Sequence, residues 1–167
     1  YQDAENFYAA ALDLRVQEVA LYRVVRGNRI RLDEEDELEL DPLAWHSLRV
    51  VQDDDDIRAN LVTLISRASG FRVVGQHQTG EQAVQEVART APDVVLMDIN
   101  LPGISGIECV RRIRDQAPNV QIIMLTVYED SDQIFRSLRA GANGYLLKRT
   151  SGAKLLESIR DVSAGGS

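Results

Sequence analysis

Beyond Trp45 the chain repeats one unit five times: a short apolar run, a turn signal, then a stretch whose apolar residues recur at helical spacing. That rhythm leaves few folds open, because parallel strands can be joined only through a crossover, and a crossover helix must bury its apolar stripe on the sheet. The apolar runs fall at 48–52, 71–74, 94–97, 120–125 and 144–147, with helices expected near 56–68, 131–140 and 152–163. Two more helix starts are marked by the capping boxes Thr79-Gly80-Glu81-Gln82 and Ser105-Gly106-Ile107-Glu108. Five strands and five helices fit one doubly wound α/β domain with a parallel sheet.

Residues 1–45 do not share this rhythm. Phe7, Ala11 and Leu14 form one helical stripe and Tyr8, Leu12 and Val16 an adjacent one, which predicts a short amphipathic helix over 3–17. Alternation between Val19 and Leu32, centred on Arg26-Gly27-Asn28-Arg29, predicts a hairpin with the Gly-Asn pair at its turn. The acidic run 33–41 reads as a solvated linker. Charge divides the chain at the same place, with 11 acidic and 5 basic residues in 1–45 against 15 and 14 in 46–167. The expected organisation is therefore an amino-terminal extension, 1–45, of helix, hairpin and acidic linker, followed by the main domain, 46–167. The chain does not begin with Met, so a piece of a larger protein is expected.

Several classes of function are disfavoured. A net charge of −7 and a pI near 4.9 oppose direct nucleic-acid binding, which needs clustered Lys and Arg. No long apolar run and no basic-then-apolar leader is present, so neither membrane association nor secretion is expected, and a soluble cytoplasmic protein is. Cys109 has no partner for an internal disulfide, and His46 and His77 are too far apart in sequence to suggest a zinc cluster. Cys109 is expected half-buried on a helix, and His77 in a solvated loop.

The ends of the apolar runs carry the chemistry. Val94, Val95, Leu96 and Met97 are apolar without alternation, as in a strand covered on both faces, and the run stops at Asp98, with Pro102-Gly103 turning the chain beyond it. Gln52-Asp53, Thr126 and Lys148 follow three of the other runs. Right-handed crossovers bring all these carboxyl ends to one edge, where open α/β sheets bind ligands. Thr126 alone would be an ordinary strand-end hydroxyl and Lys148 a surface lysine; together with two carboxylates they read differently. Carboxylates about 5 Å apart repel by roughly 3 kcal/mol at an effective dielectric near 20, which calls for a cation. Oxygen ligands without His or Cys suit Mg²⁺. An ion, an ammonium and a hydroxyl around a nucleophilic carboxylate are the parts of phosphoryl transfer through an acyl phosphate, with Asp98 as the nucleophile.

Over essentially all of 48–164 these residues resemble the receiver domain of two-component response regulators. The motifs recur in the family's order: the acidic pair after the first strand, Met97-Asp98-Ile99-Asn100-Leu101-Pro102-Gly103, Leu125-Thr126, Gly141-Ala142-Asn143-Gly144-Tyr145 and Leu147-Lys148. Lys148 without a following Pro, and the closing Ala164-Gly165-Gly166-Ser167, look like the NarL/FixJ branch, in which a LuxR-type helix-turn-helix normally follows. The chain stops where that module would start, so an input half is expected, with the DNA-binding module following in the parent protein.

The resemblance implies a flavodoxin-like sheet of order 2-1-3-4-5. It implies that Asp98 accepts phosphate from a histidine kinase and that Asp53, Asp98 and the Asn100 backbone carbonyl hold Mg²⁺. Thr126 and Lys148 would hold the phosphoryl oxygens, and Tyr145 would be an aromatic switch that moves with Thr126. The face of the fourth helix, fifth strand and fifth helix would carry the signal to a homodimer or an output domain that controls transcription. No enzyme is implied beyond self-phosphorylation and autodephosphorylation. One departure stands out: Arg58 and Leu61 set a register that places Gln52 in the first of the two acidic positions and Asp53 in the second. Weaker Mg²⁺ binding is expected, with Gln52 or Asp54 as further candidate ligands and Asp55 and Asp56 as helix-terminal residues.

Three other readings compete. A haloacid-dehalogenase-type phosphatase would carry its nucleophile after the first strand and a second Asp two residues later, where this chain has Asn100. A flavodoxin-like cofactor binder would need a Ser/Thr/Gly-rich loop after the first strand, and Asp53 to Asp56 would repel a flavin phosphate. An atypical, never phosphorylated receiver acting as an interaction module is kept open by Gln52.

Overall fold

The computed structural model describes residues 22–25, 28–31 and 45–165. Two short strands, β1 (Tyr22–Val25) and β2 (Asn28–Arg31), form an antiparallel hairpin. Val25 lies opposite Asn28, so Asn28 belongs to the ladder rather than to the expected Gly-Asn turn. The helix expected over 3–17 and the acidic run 33–41 lie outside the described residues.

The main unit follows in strict alternation: β3 (His46–Val51), α1 (Asp55–Ser66), β4 (Phe71–His77), α2 (Gly80–Thr90), β5 (Val94–Asp98), α3 (Gly106–Gln116), β6 (Gln121–Thr126), α4 (Ser131–Ala140), β7 (Gly144–Leu147) and α5 (Gly152–Ser163). The sheet order is β4-β3-β5-β6-β7, all parallel, which is the doubly wound order 2-1-3-4-5. β5 is central and buried along its whole length, which is why its sequence does not alternate.

Side-chain alternation along the strands divides the core in two. Val51, Val95, Met97, Ile122 and Met124 pack with Ala83 and Val87 of α2 and with Val110 and Ile113 of α3. Leu48, Val50, Val94, Leu96 and Leu125 pack on the opposite face with Ile65 of α1 and Leu155 and Ile159 of α5. Each fully buried aliphatic side chain contributes about 1.5–3 kcal/mol. Every one of the five helices begins on a side-chain cap: Asp54, Thr79, Ser105, Asp130 and Ser151. Glu108 does not complete its capping box, because its carboxylate pairs with Arg111 and Arg112 instead.

Two further expectations are corrected. Cys109 is fully buried, and that burial pushes its thiol up to about 12. His77 is not a solvated loop residue, because β4 extends through it in register with Val51. Its Nε2 lies 2.8 Å from the guanidinium of Arg49, a buried arginine of β3 that also donates to the Thr90 hydroxyl at 3.1 Å. Gly75 makes room for this arginine, since a Cβ there would collide with the guanidinium. Among the described residues no helix is long and apolar enough to cross a membrane.

Candidate functional site at the carboxyl edge of the sheet

Asp98 is the last residue of β5 and is almost completely buried, with 1% of its side chain exposed. A carboxylate in that position needs compensation, and it has it: Lys148 Nζ donates to Oδ2 at 2.8 Å, and the Asn100 backbone N–H donates to Oδ1 at 3.0 Å. Lys148 is brought there by the sheet. Its backbone N–H donates to the Thr126 carbonyl at 2.7 Å, and it directly follows β7, whose partner β6 is Asp98's neighbour. The backbone behind Asp98 is fixed by close packing, since a Cβ on Gly106 would collide with the Asp98 carbonyl oxygen. In the sequence Gly106 is marked only as part of a cap; its closeness to Asp98 is a tertiary fact with no local signature.

Gln52 sits one step beyond Val51, which pairs with Met97, so it comes level with Asp98 on the adjacent strand. It is fully buried. Its Oε1 accepts from the Asp54 backbone N–H at 3.1 Å, and its Nε2 has no hydrogen-bond partner. Asp53 is exposed at the next position. Asp54 is committed to capping α1, accepting from the Ile57 N–H at 2.9 Å, and Asp55 pairs with Arg58, whose guanidinium holds that carboxyl below the usual range. Arg58 also donates to the Gln52 carbonyl at 2.9 Å and so ties α1 to the loop.

Thr126 ends β6 and is fully buried. Its hydroxyl is engaged by the loop rather than by Asp98, accepting from the Tyr128 N–H at 3.4 Å. The Tyr145 hydroxyl donates to the carbonyl of that same Tyr128 at 2.7 Å, and partial burial raises its pKa. Asp98 and Lys148 are thus brought into contact, while Thr126 and Tyr145 form a second group joined through residue 128.

The donor set at this edge is oxygen-rich but sparse. Among the described residues no group of three or more His, Cys, Asp or Glu side chains could hold a metal. Asp53 and Asp98, with the Asn100 carbonyl, are the oxygen donors here that could hold an ion such as Mg²⁺, one that keeps several of its waters. Gln52 adds hydrogens rather than charge.

A buried, lysine-paired aspartate ending the middle strand of a 2-1-3-4-5 sheet defines a class, and the comparisons agree on it: the response regulator receiver domain model matches residues 48–160. The chain belongs to that family. Within it, relatives and solved structures support the NarL/FixJ branch. The chain is 37% identical over 116 residues to Response regulator GacA of Pseudomonas viridiflava, covering 70% of this chain and 54% of that protein. It is 38% identical over 116 residues to Response regulator UvrY of Escherichia coli strain K12, covering 70% and 53%. It matches the crystal structure of a LuxR-family two-component response regulator from Aurantimonas sp. SI85-9A1 at a TM-score of 0.70 and 32% identity, over 73% of this chain and 87% of that one. The chain spans about half the length of the curated relatives it matches.

Proposed function

We propose that this chain is a phosphoacceptor receiver that takes a phosphoryl group from a histidine kinase onto Asp98 and relays its presence to a transcriptional output. The observation that carries the reading is the burial of Asp98 with one ammonium, Lys148, on its Oδ2. In the transfer an oxygen of Asp98 attacks phosphorus, a P–O bond forms, and the bond from phosphorus to the donor breaks. The leaving group keeps the electron pair and takes a proton from solvent. Lys148, no longer needed by a full carboxylate charge, is free to bind the incoming phosphoryl oxygens. Asp53, Asp98 and the Asn100 carbonyl would hold Mg²⁺, which when bound supplies positive charge beside those oxygens.

The relay is a two-state element. The Thr126 hydroxyl accepts weakly from Tyr128, at 3.4 Å, and Tyr145 holds the other side of the same residue. A phosphoryl oxygen competing for the hydroxyl would shift the loop after β6, and with it Tyr145, by the difference in binding energy between the two arrangements. That loop leads into α4, whose Phe135 and Leu138 stand exposed, as do Val127 and Tyr128 of the loop itself. Such apolar side chains suit contact with a second copy or an output module. DNA binding belongs to a module of the parent protein rather than to this acidic chain, and the cytoplasm is the compartment in which kinase and DNA are both met. A second reading, an interaction module that is never phosphorylated, is favoured by one observation, the amide of Gln52 in place of an acid.

Incubation with acetyl phosphate and Mg²⁺ separates the two. The first reading predicts one added phosphoryl mass that Asp98→Asn eliminates; an unlabelled wild type, or label persisting in the variant, contradicts it.

A further inference from the structure

Gln52 does more than fill a gap. Leu48 and Val50 of β3 share one core layer with Val94 and Leu96 of β5, so by alternation Gln52 and Asp98 extend from the same face of neighbouring strands, about 4.8 Å apart along the sheet. The orientation of the amide is fixed by its neighbour: Oε1 accepts from the Asp54 N–H, and reversal would set two donors against each other. What remains is a pair of N–H groups on a fully buried Nε2 without a partner. A buried donor left unmade is costly and is retained where something else fills it.

Those hydrogens repel a cation and attract an anion. The negative charge of Asp98 is already matched by Lys148 at 2.8 Å, so neutralisation there depends less on an added ion. We propose that Gln52 is a direct ligand of the phosphoryl group, its Nε2 donating to an oxygen of the anion on Asp98, so that the corner receives a phosphoryl-type anion with little dependence on Mg²⁺. This deepens the phosphoacceptor reading and rests on it.

The test uses beryllofluoride as a phosphoryl mimic and the backbone amide shifts of Asn100 and Lys148 in the full chain. Wild type is expected to bind beryllofluoride in metal-free buffer. Gln52→Met, of similar volume but without a donor, should weaken that binding about tenfold. Gln52→Asp should bind Mg²⁺ alone about tenfold more tightly than wild type and should bind beryllofluoride only when Mg²⁺ is present. A wild type that binds beryllofluoride only with Mg²⁺ overturns the proposal without recourse to any variant. So does Gln52→Met binding as well as wild type, or Gln52→Asp with unchanged Mg²⁺ affinity. If acetyl phosphate still labels Asp98 in those cases, only the role of Gln52 falls. If wild type takes neither label nor beryllofluoride at any Mg²⁺ concentration, the phosphoacceptor reading falls with it.

Discussion

The pair Asp98–Lys148 sets the energetics of the site. Removing the lysine strands a carboxylate that is 99% enclosed by protein, whereas removing both charges does not. Lys148→Met is therefore expected to cost about 3 kcal/mol in urea denaturation, and Asp98→Asn in the same chain to recover most of that loss. Strictly additive single effects would contradict this. A second titratable contact makes stability depend on pH. Burial first, then the Arg49 guanidinium, lowers the pKa of His77 below its usual 6.5, against a smaller opposing pull from Glu86. Neutral His77 can accept from Arg49, and protonated it cannot. Its stabilising contribution is whole above about pH 6.5 and is lost as pH falls from there through the folded-state value. His77→Gln, which keeps an acceptor, should flatten the dependence of the urea midpoint between about pH 7.5 and 5.5. At this scale the sequence was only partly legible. A carboxylate ending an apolar run identified Asp98, and strand-end position identified Lys148. The unpaired Nε2 of Gln52 was not legible, because it depends on which backbone N–H captures the amide oxygen.

The order of strands and helices was legible because each apolar run is closed by a cap or turn residue, and right-handed crossovers then leave little freedom. The register was legible where burial on both faces enforces it, as in β5. Two features were not. Arg49 interrupts the apolar run of β3, and its accommodation requires Gly75 and His77 on β4 and Thr90 on α2. Arg114 of α3 is the other. It donates to the Gly141 carbonyl at 2.7 Å, the Pro118 carbonyl at 3.0 Å and the Asn143 Oδ1 at 2.6 Å, clamping α3 to the segments that enter β6 and β7. Asn143 Oδ1 also accepts from the Ile122 N–H at 2.9 Å, so the Gly-Ala-Asn-Gly motif holds the opposite edge of the sheet rather than the Asp98 corner. Arg114→Met leaves several inward-facing acceptors unmade and should cost about 3 kcal/mol, read from the urea midpoint. It should leave the extent of Asp98 labelling in the folded fraction unchanged.

At the scale of the whole molecule, charge is placed where distant chain segments meet, and Phe135 and Leu138 of α4 stand exposed nearby along the chain. Asp98 ends β5, Thr126 ends β6 and Lys148 directly follows β7, and only the parallel order of the sheet brings these chain segments to one edge. The chain spans about half the length of its curated relatives, and the step that can be tested in it is acceptance of the phosphoryl group. An acyl phosphate is reduced by borohydride at the carbonyl carbon, releasing phosphate and converting the aspartyl side chain to a primary alcohol. After incubation with acetyl phosphate and Mg²⁺ and then borohydride, peptide mass mapping should find homoserine at position 98. Reduction at another carboxylate, or none at all in folded protein, would contradict the central claim.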